Sequence, residues 1–497
     1  VGSPNYGAGG LDQRGQSRAS ASSLCDIGAF EGSASLPDDL IIDLATSQEV
    51  LNALNSVVGS LLMINVDGRE YLVVPNATSV GLDVTLTDND RLLVIDLNAL
   101  ASAGGEITIA GNLSLQSVDL SSLTTVGGSL TIANNPALNA ILISGVTSIG
   151  GDLAIVGTAA TVIDVSALAT VTGSLVISDN TSATTVDVSS VTDVGGDVTI
   201  TGNTAATAID VAGLATVGGD LDLSGNTSLP VVDVAGLATV GGDLIIDGAS
   251  SATDIDLGSA TSVGGDVIIT DNTAATALDV GSLATAGGDL DLSGNSSLGS
   301  VDVSGVTSVG GNLIISGSAA AASIDVSGLA SVSGDLTIVD NGSATVDVSA
   351  DVDVGGDVTI ETTGTGTISV GGDVTGDLTL DTSGYTAITG ATPGGDIDLT
   401  SENLEALMHL QIQAASFTTP VAFSVTRVEP AALPPESGAA VGGSPATVDP
   451  IAAYQFTFAV PTLNRDATIS FDIDLAQLDA ATQSALLAAL AAGTATM

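Results

Sequence analysis

The chain has 497 residues, 57 of them acidic against 6 basic, for a formal charge of −51. A surface of that sign excludes nucleic acid and anionic membrane as partners, since both need a basic patch, and it favours cations, calcium among them. A single cysteine excludes a disulfide scaffold. No apolar run reaches the ~18 residues of a membrane span, so no membrane insertion is expected. Hydrophobic residues make up 44% in strict periodicity, which excludes a disordered acidic chain.

Residues 1–36 are rich in Gly, Ser and Ala and read as the tail of another module. The chain opens on Val1 without a charged-then-apolar leader, which predicts that any signal peptide has been removed. Residues 37–57 predict a cap: an apolar strand from Leu40 to Leu44, then a short helix. Ser47 serves as its N-cap, and Val50, Leu51, Leu54 and Val57 form its apolar face. A cap is needed because the first coil of a stacked array otherwise exposes its core.

From 58 to 390 a 23-residue unit repeats. Its glycine pairs include Gly127-Gly128, Gly150-Gly151, Gly195-Gly196, Gly218-Gly219, Gly241-Gly242, Gly264-Gly265, Gly287-Gly288 and Gly310-Gly311. A period of this length means a solenoid, in which stacking creates the core. The fold class expected is all-β, a parallel β-solenoid; about fourteen coils at ~4.8 Å predict a rod of roughly 65 Å. The register slips by one residue after Gly157 and after Asn341. Residues 195–263 and 264–332 match as 69-residue blocks of three coils, so length was extended by copying coils.

Within a coil, Leu221 and Leu223 are expected to point inward, with Asp220 and Asp222 outward. Val232 and Val234 flank an outward Asp233, and Leu237 and Val240 fill the third side. The glycine pair is expected to supply a corner that tolerates positive φ and close stacking. Asn112, Asn135, Asn180, Asn203, Asn226, Asn272, Asn295 and Asn341 form a turn ladder that bonds the backbone of adjacent coils.

Two aspartate columns face outward. One includes Asp197, Asp220, Asp243, Asp266 and Asp289; the other includes Asp187, Asp210, Asp233, Asp256, Asp279, Asp302 and Asp325. Like charges ~4.8 Å apart repel by roughly 1 kcal/mol even in water. Calcium–oxygen distances of ~2.3–2.6 Å would let one ion bridge two such carboxylates. The other reading is a solvated acidic face that keeps the β-protein soluble and blocks edge pairing. The calcium-binding nonapeptide of ion-dependent β-helices is absent.

Residues 391–497 break the pattern and hold Phe417, Phe423, Tyr454, Phe456, Phe458 and Phe471. Alternating runs from Tyr454 to Val460 and from Ala467 to Leu475 predict strands of a small β-sandwich. Leu475 to Leu490 predicts an amphipathic helix. Catalytic constellations are poor. His409, the only histidine, stands between Met408 and Leu410 with no nucleophile spacing around it, and Cys25 has no histidine near it in sequence. An ice-binding face would need a regular threonine array, but the column of Thr108, Thr131 and Thr199 also holds Asp222, Ile245, Ile268 and Asp291. No enzyme activity is expected.

The segment GSLTIANNPALNAILISGVTSIGGDL, with Leu130, Ile132 and Asn135 in a leucine-rich spacing, resembles the receptor L-domain. That is a right-handed β-solenoid of hormone-receptor ectodomains and anchored fungal wall proteins. The stretch TSQEVLNALNSVVGSLLMI is similar to the helix that opens that fold; the likeness covers about residues 40–390. The chain lacks the cysteines of receptor members. A second stretch, LDQRGQSRASASSLCDIGAFEG, resembles the tail motif of large bacterial surface proteins with β-helix passengers. These resemblances imply a modular, exported protein of the bacterial cell surface. The expected role is an extracellular structural protein that self-associates head to tail into a surface layer or filament. The alternatives are an adhesin for a cell-surface glycan or another ligand and, third, a polysaccharide-active β-helix enzyme.

Overall fold

The computed structural model describes residues 35–36, 38–342, 344–348 and 352–361 in full, and beyond them the backbone of Ala34 and eight strands between Thr367 and Asp472. The N-terminal motif with Cys25 and the helix expected from Leu475 to Leu490 lie outside the described residues.

The architecture is an all-β parallel solenoid of about 14 coils. It divides into two compact units at Ala252 and Thr253. Between Leu61 and Val354 each coil carries a long, a middle and a short strand, joined by turns. In the first unit the long strands Val84–Thr87, Ile107–Ala110, Leu130–Asn135, Leu153–Thr158, Leu175–Ser178 and Val198–Thr201 pair in parallel, each residue opposite its repeat partner. In the second unit the same holds for Val267–Thr270, Leu290–Asp291, Leu313–Ser316, Leu336–Val339 and Val358–Glu361. Between Leu61 and Val358 the ladder spacing is 23 residues with two slips of one residue. Leu153 stands opposite Leu175, and Ser323 opposite Thr345, which are the slips expected after Gly157 and after Asn341.

The alternation of apolar and polar residues explains the core. In the coil of Leu221, Leu223, Val232, Val234, Leu237 and Val240, all six are buried, while Asp220 and Asp233 are exposed. Parallel strands present one face inward and one outward, so a period of two buries one column per strand and leaves the next for water. No coil can bury its column alone, which makes each interface between coils the unit of stability.

At the N-terminal end a helix spans Gln48–Ala53, with Ser47 as its N-cap accepting a bond from the Val50 N–H. It is shorter than expected. Leu54 and Val57 belong to a strand, Leu54–Val57, that pairs in parallel with Ala34–Leu36 and with Ser79–Val80. Leu54 is β-region at the helix end, and joining the short-strand sheet offers its backbone a ladder that a further helical turn would forgo. Gln48 Nε2 donates to Val73 O at 2.8 Å, tying the helix to the first middle strand.

Parallel pairing gives way to antiparallel at the other end. Strand His409–Ile412 pairs antiparallel with Ile397–Thr400 and with Ile469–Asp472. Strand Ala422–Val428 pairs antiparallel with Ala387–Ala391 and with Ala453–Phe458. The two strands expected around Tyr454 and Phe471 are therefore present. His409 lies in the first of these pairings.

Candidate functional site

The outward aspartates are the candidate site, and each column is held by its own backbone chemistry. In the column after the glycine pair, Asp197 Oδ1 accepts the N–H of Asp220 at 3.0 Å, and Asp220 Oδ1 accepts that of Asp243 at 2.8 Å. Asp266 accepts from the Asp289 N–H at 2.7 Å, and Asp289 from the Asn312 N–H at 2.6 Å. The same place is filled by Ser129, Ser174 and Asn312, whose side-chain oxygens accept the N–H of Asp152, Asp197 and Asp335. A neutral serine or asparagine does the same work, so this column asks for an acceptor, not for a charge. Left unbonded, each corner N–H would be an orphaned donor between coils.

The glycine pair is explained by this ladder and by close stacking. A Cβ on Gly218 would run into Gly195 O, and one on Gly219 into Asp197 Oδ1, the oxygen that holds Asp220. The positive φ expected at the pair is not there. It occurs one residue before the asparagine ladder, at Asp88, Gly111, Asn134, Gly157, Asp179, Gly202, Gly225, Gly248, Asp271, Gly294, Gly317 and Asp340. Only Gly, Asn and Asp enter the left-handed region cheaply, and this column contains no other residue type. That restriction was visible in the sequence as the residue preceding each ladder asparagine.

The column of the middle strand works differently. Each aspartate bonds the backbone two residues on, an Asx turn that ends the strand. Asp187 Oδ1 accepts from the Ser189 N–H at 3.0 Å, Asp210 from Ala212 at 3.1 Å and Asp233 from Ala235 at 3.0 Å. Asp256 accepts from Gly258 at 2.7 Å, Asp279 from Gly281 at 2.9 Å, Asp302 from Ser304 at 3.0 Å and Asp325 from Ser327 at 2.9 Å. Parallel pairing sets Asp187 opposite Asp210, Asp256 opposite Asp279, and Asp302 opposite Asp325. Asp210 and Asp233 lie in different sheets, as do Asp279 and Asp302. Here the acid recurs at every repeat from Asp164 to Asp347, although asparagine or serine could close the same turn. The turn alone does not account for the charge.

Among the described residues, no three His, Cys, Asp or Glu side chains converge on a point that could hold a metal. The carboxylates stand in file, one per coil, rather than around a centre. None of the helices among the described residues is long and apolar enough to cross a membrane.

A third face is nearly free of acid. The short strands expose Thr125, Ser148, Thr170, Asp193, Thr216 and Thr239 in the first unit. Asp193 is the exception, and its carboxyl is held below the usual carboxylate range by the hydroxyl of Thr216, in the next coil, and by that of Thr192. Next to this column Thr124 and Thr147 donate their hydroxyls to Ala101 O and Thr124 O, each at 3.0 Å. Near the cap, Asp43 is likewise lowered by the Thr46 hydroxyl and by the N–H groups of Thr46 and Ala45.

The asparagine ladder lies inside and is wholly buried. Asn112 Oδ1 accepts the Asn89 N–H at 3.0 Å, and Asn112 Nδ2 donates to Leu86 O at 2.9 Å. Asn203 and Asn226 repeat the arrangement, with Nδ2 on Ile177 O and Ile200 O. Each amide thus ties its own coil to the one before it at two points. Thr158, Ala249 and Ser318 interrupt the column, and Ser318 Oγ is a buried hydroxyl without a hydrogen-bond partner.

No family model, curated protein or solved structure matches the chain. The likeness to receptor L-domains therefore stands on the repeat and its spacing.

Proposed function

We propose that the protein is an extracellular structural element, an acidic β-solenoid that self-associates head to tail into a surface layer or filament on a bacterial cell. The observation that carries this reading is the use made of the conspicuous polar columns. The asparagines, the glycine-pair aspartates and the middle-strand aspartates all hold backbone between or within coils. Side chains spent on stacking identical units suit a load-bearing scaffold, and heterologous contacts that do not close give fibres. Duplication of a 69-residue block adds length without adding a new constellation.

Calcium is the cation this reading favours, and the middle-strand column is its better location. The Asx bond engages one oxygen of each carboxylate, and successive coils bring the next carboxylate within bridging reach of one ion. The pairs Asp187 and Asp210, Asp256 and Asp279, and Asp302 and Asp325 are the ones held in register. The glycine-pair column, where serine and asparagine substitute, has less need of a cation.

Sedimentation and electron microscopy of the purified chain, with calcium and with a chelator, test the proposal. Fibres or sheets are expected. A monomer under both conditions at all accessible concentrations would sink the structural reading and leave the adhesin, to be examined on a glycan array.

A further inference from the structure

The middle-strand face is cut into separate short sheets, while the long-strand and short-strand faces run through the same joints. Ala140–Leu142 and Val162–Asp164 belong to different sheets, as do Ala208–Asp210 and Val231–Asp233, and Ala277–Asp279 and Val301–Asp302. Across the second of these joints Val198 still faces Leu221, and Thr216 still faces Thr239. Across the third, Val267 faces Leu290 and Thr285 faces Ser308. One wall in three is open, and the opening recurs 69 residues on, from Asp210 to Asp279.

The cause lies under the strand. Three residues past each ladder asparagine, and two past Thr158, a buried side chain precedes the middle strand. It is Leu92, Leu115 and Leu138 in the first sheet and Ala160, Ala183 and Ala206 in the second; Leu229 and Leu298 open the third and fourth. A rise from Ala206 to Leu229, or from Ala275 to Leu298, puts three more carbon atoms beneath one strand than beneath its neighbour. Close-packed interiors do not absorb such a step, and the middle strand has no ladder to the coil before it. The fall from Leu298 to Ala321 leaves the ladder closed, with the Ala322 N–H on Gly299 O at 2.9 Å. The fall from Leu138 to Ala160 opens it where the spacing also shortens, with Ser148 opposite Thr170.

Pro230 adds to the second joint. In the coil before it, the Thr207 N–H donates to Thr184 O at 3.0 Å; Pro230 occupies the corresponding place and has no N–H to give. The asparagine ladder changes in the same coils. Asn226 Nδ2 turns back to Leu223 O at 2.7 Å, and Asn295 Nδ2 to Leu292 O at 2.8 Å, where Ala249 and Ser318 follow instead of asparagine.

We propose that these joints bound mechanical segments, so that under load or partial denaturation the three coils of Val162–Asp210 open in one step of about 69 residues instead of coil by coil. In a stacked array each interface contributes its own stability, and opening begins at the weakest. The proposal does not depend on what the protein binds or builds.

Stretching the full chain between surface and probe reads the step directly. At ~3.6 Å per extended residue, less ~4.8 Å for each folded coil, a three-coil step lengthens the chain by roughly 230 Å. Increments of roughly 80 Å, or one all-or-none event, would overturn the proposal. The double variant Leu229→Ala with Pro230→Thr copies Ala206-Thr207 of the preceding coil and closes one joint. It is expected to lengthen the step of Val162–Asp210 past the closed joint, and an unchanged pattern in the folded variant overturns the proposal. Hydrogen exchange of the unmodified chain in mild denaturant is the second readout. Amides of Val162–Asp210 are expected to share one opening isotherm that changes at Val231, whereas a smooth gradient or a single isotherm throughout refutes the segments.

Discussion

Replacing Asn112 by alanine tests whether the buried amide ladder holds the coils together. The side chain accepts from the Asn89 N–H at 3.0 Å and gives its own N–H to Leu86 O at 2.9 Å. Alanine leaves the buried Asn89 N–H without its acceptor and takes one bond from Leu86 O, whose place in the strand ladder remains, so a loss of about 1–3 kcal/mol is expected. The cavity adds to this unless a water enters it, and water is favoured by the polar lining. The loss should be local, because coils contact only their neighbours. Native-state hydrogen exchange is therefore the better assay: protection at Asn89 and Asn112 should fall by orders of magnitude while coils several repeats away keep theirs. Ser318→Ala is the internal contrast in the same column. Its hydroxyl is buried without a partner, so its removal is expected to be neutral or stabilising by about 1 kcal/mol. A loss under about 0.5 kcal/mol for Asn112→Ala, within the range of ordinary surface substitutions, would refute the reasoning.

Three further outcomes follow from the outer columns. Asp220→Asn retains the acceptor for the Asp243 N–H and should leave the melting temperature unchanged or higher in a chelator, whereas Asp220→Ala should lower stability by about 1–3 kcal/mol; equal effects in thermal melts would count against an acceptor ladder. Gly219→Ala places a Cβ against Asp197 Oδ1 and should destabilise, with part of the loss restored by Asp197→Ser, because Leu82 already stands over Ser60 at the equivalent place; no rescue in the double-mutant cycle would contradict this account. Thr216→Val should raise the Asp193 carboxyl toward the ordinary range, as read by carboxyl-carbon NMR titration. Since the folded Asp193 lies below its unfolded value, its contribution to stability is present above the ordinary carboxylate range and is lost as pH falls through the folded value. The variant should therefore show a weaker acid dependence, and an unaltered titration would remove the hydroxyls as the cause.

The sequence determined the coil. Period and alternation are local and additive, so the buried columns, both one-residue slips and the asparagine ladder could be read from spacing alone. The outward direction of Asp220 and Asp233 followed from the same alternation. The work these aspartates do was decided only by stacking: Asp197 meets the Asp220 N–H because the next coil lies over it, and the Asx bond of Asp233 depends on where the strand ends. The role of the glycine pair also needed the neighbour above, since a forbidden Cβ is a contact between coils and not a property of the dipeptide. Likewise the helix after Ser47 stops at Ala53 because Leu54–Val57 finds a sheet to join. The open joints combine both levels: the change between Leu and Ala was visible in the chain, but only the stacked structure sets a difference of three carbons beside a broken wall.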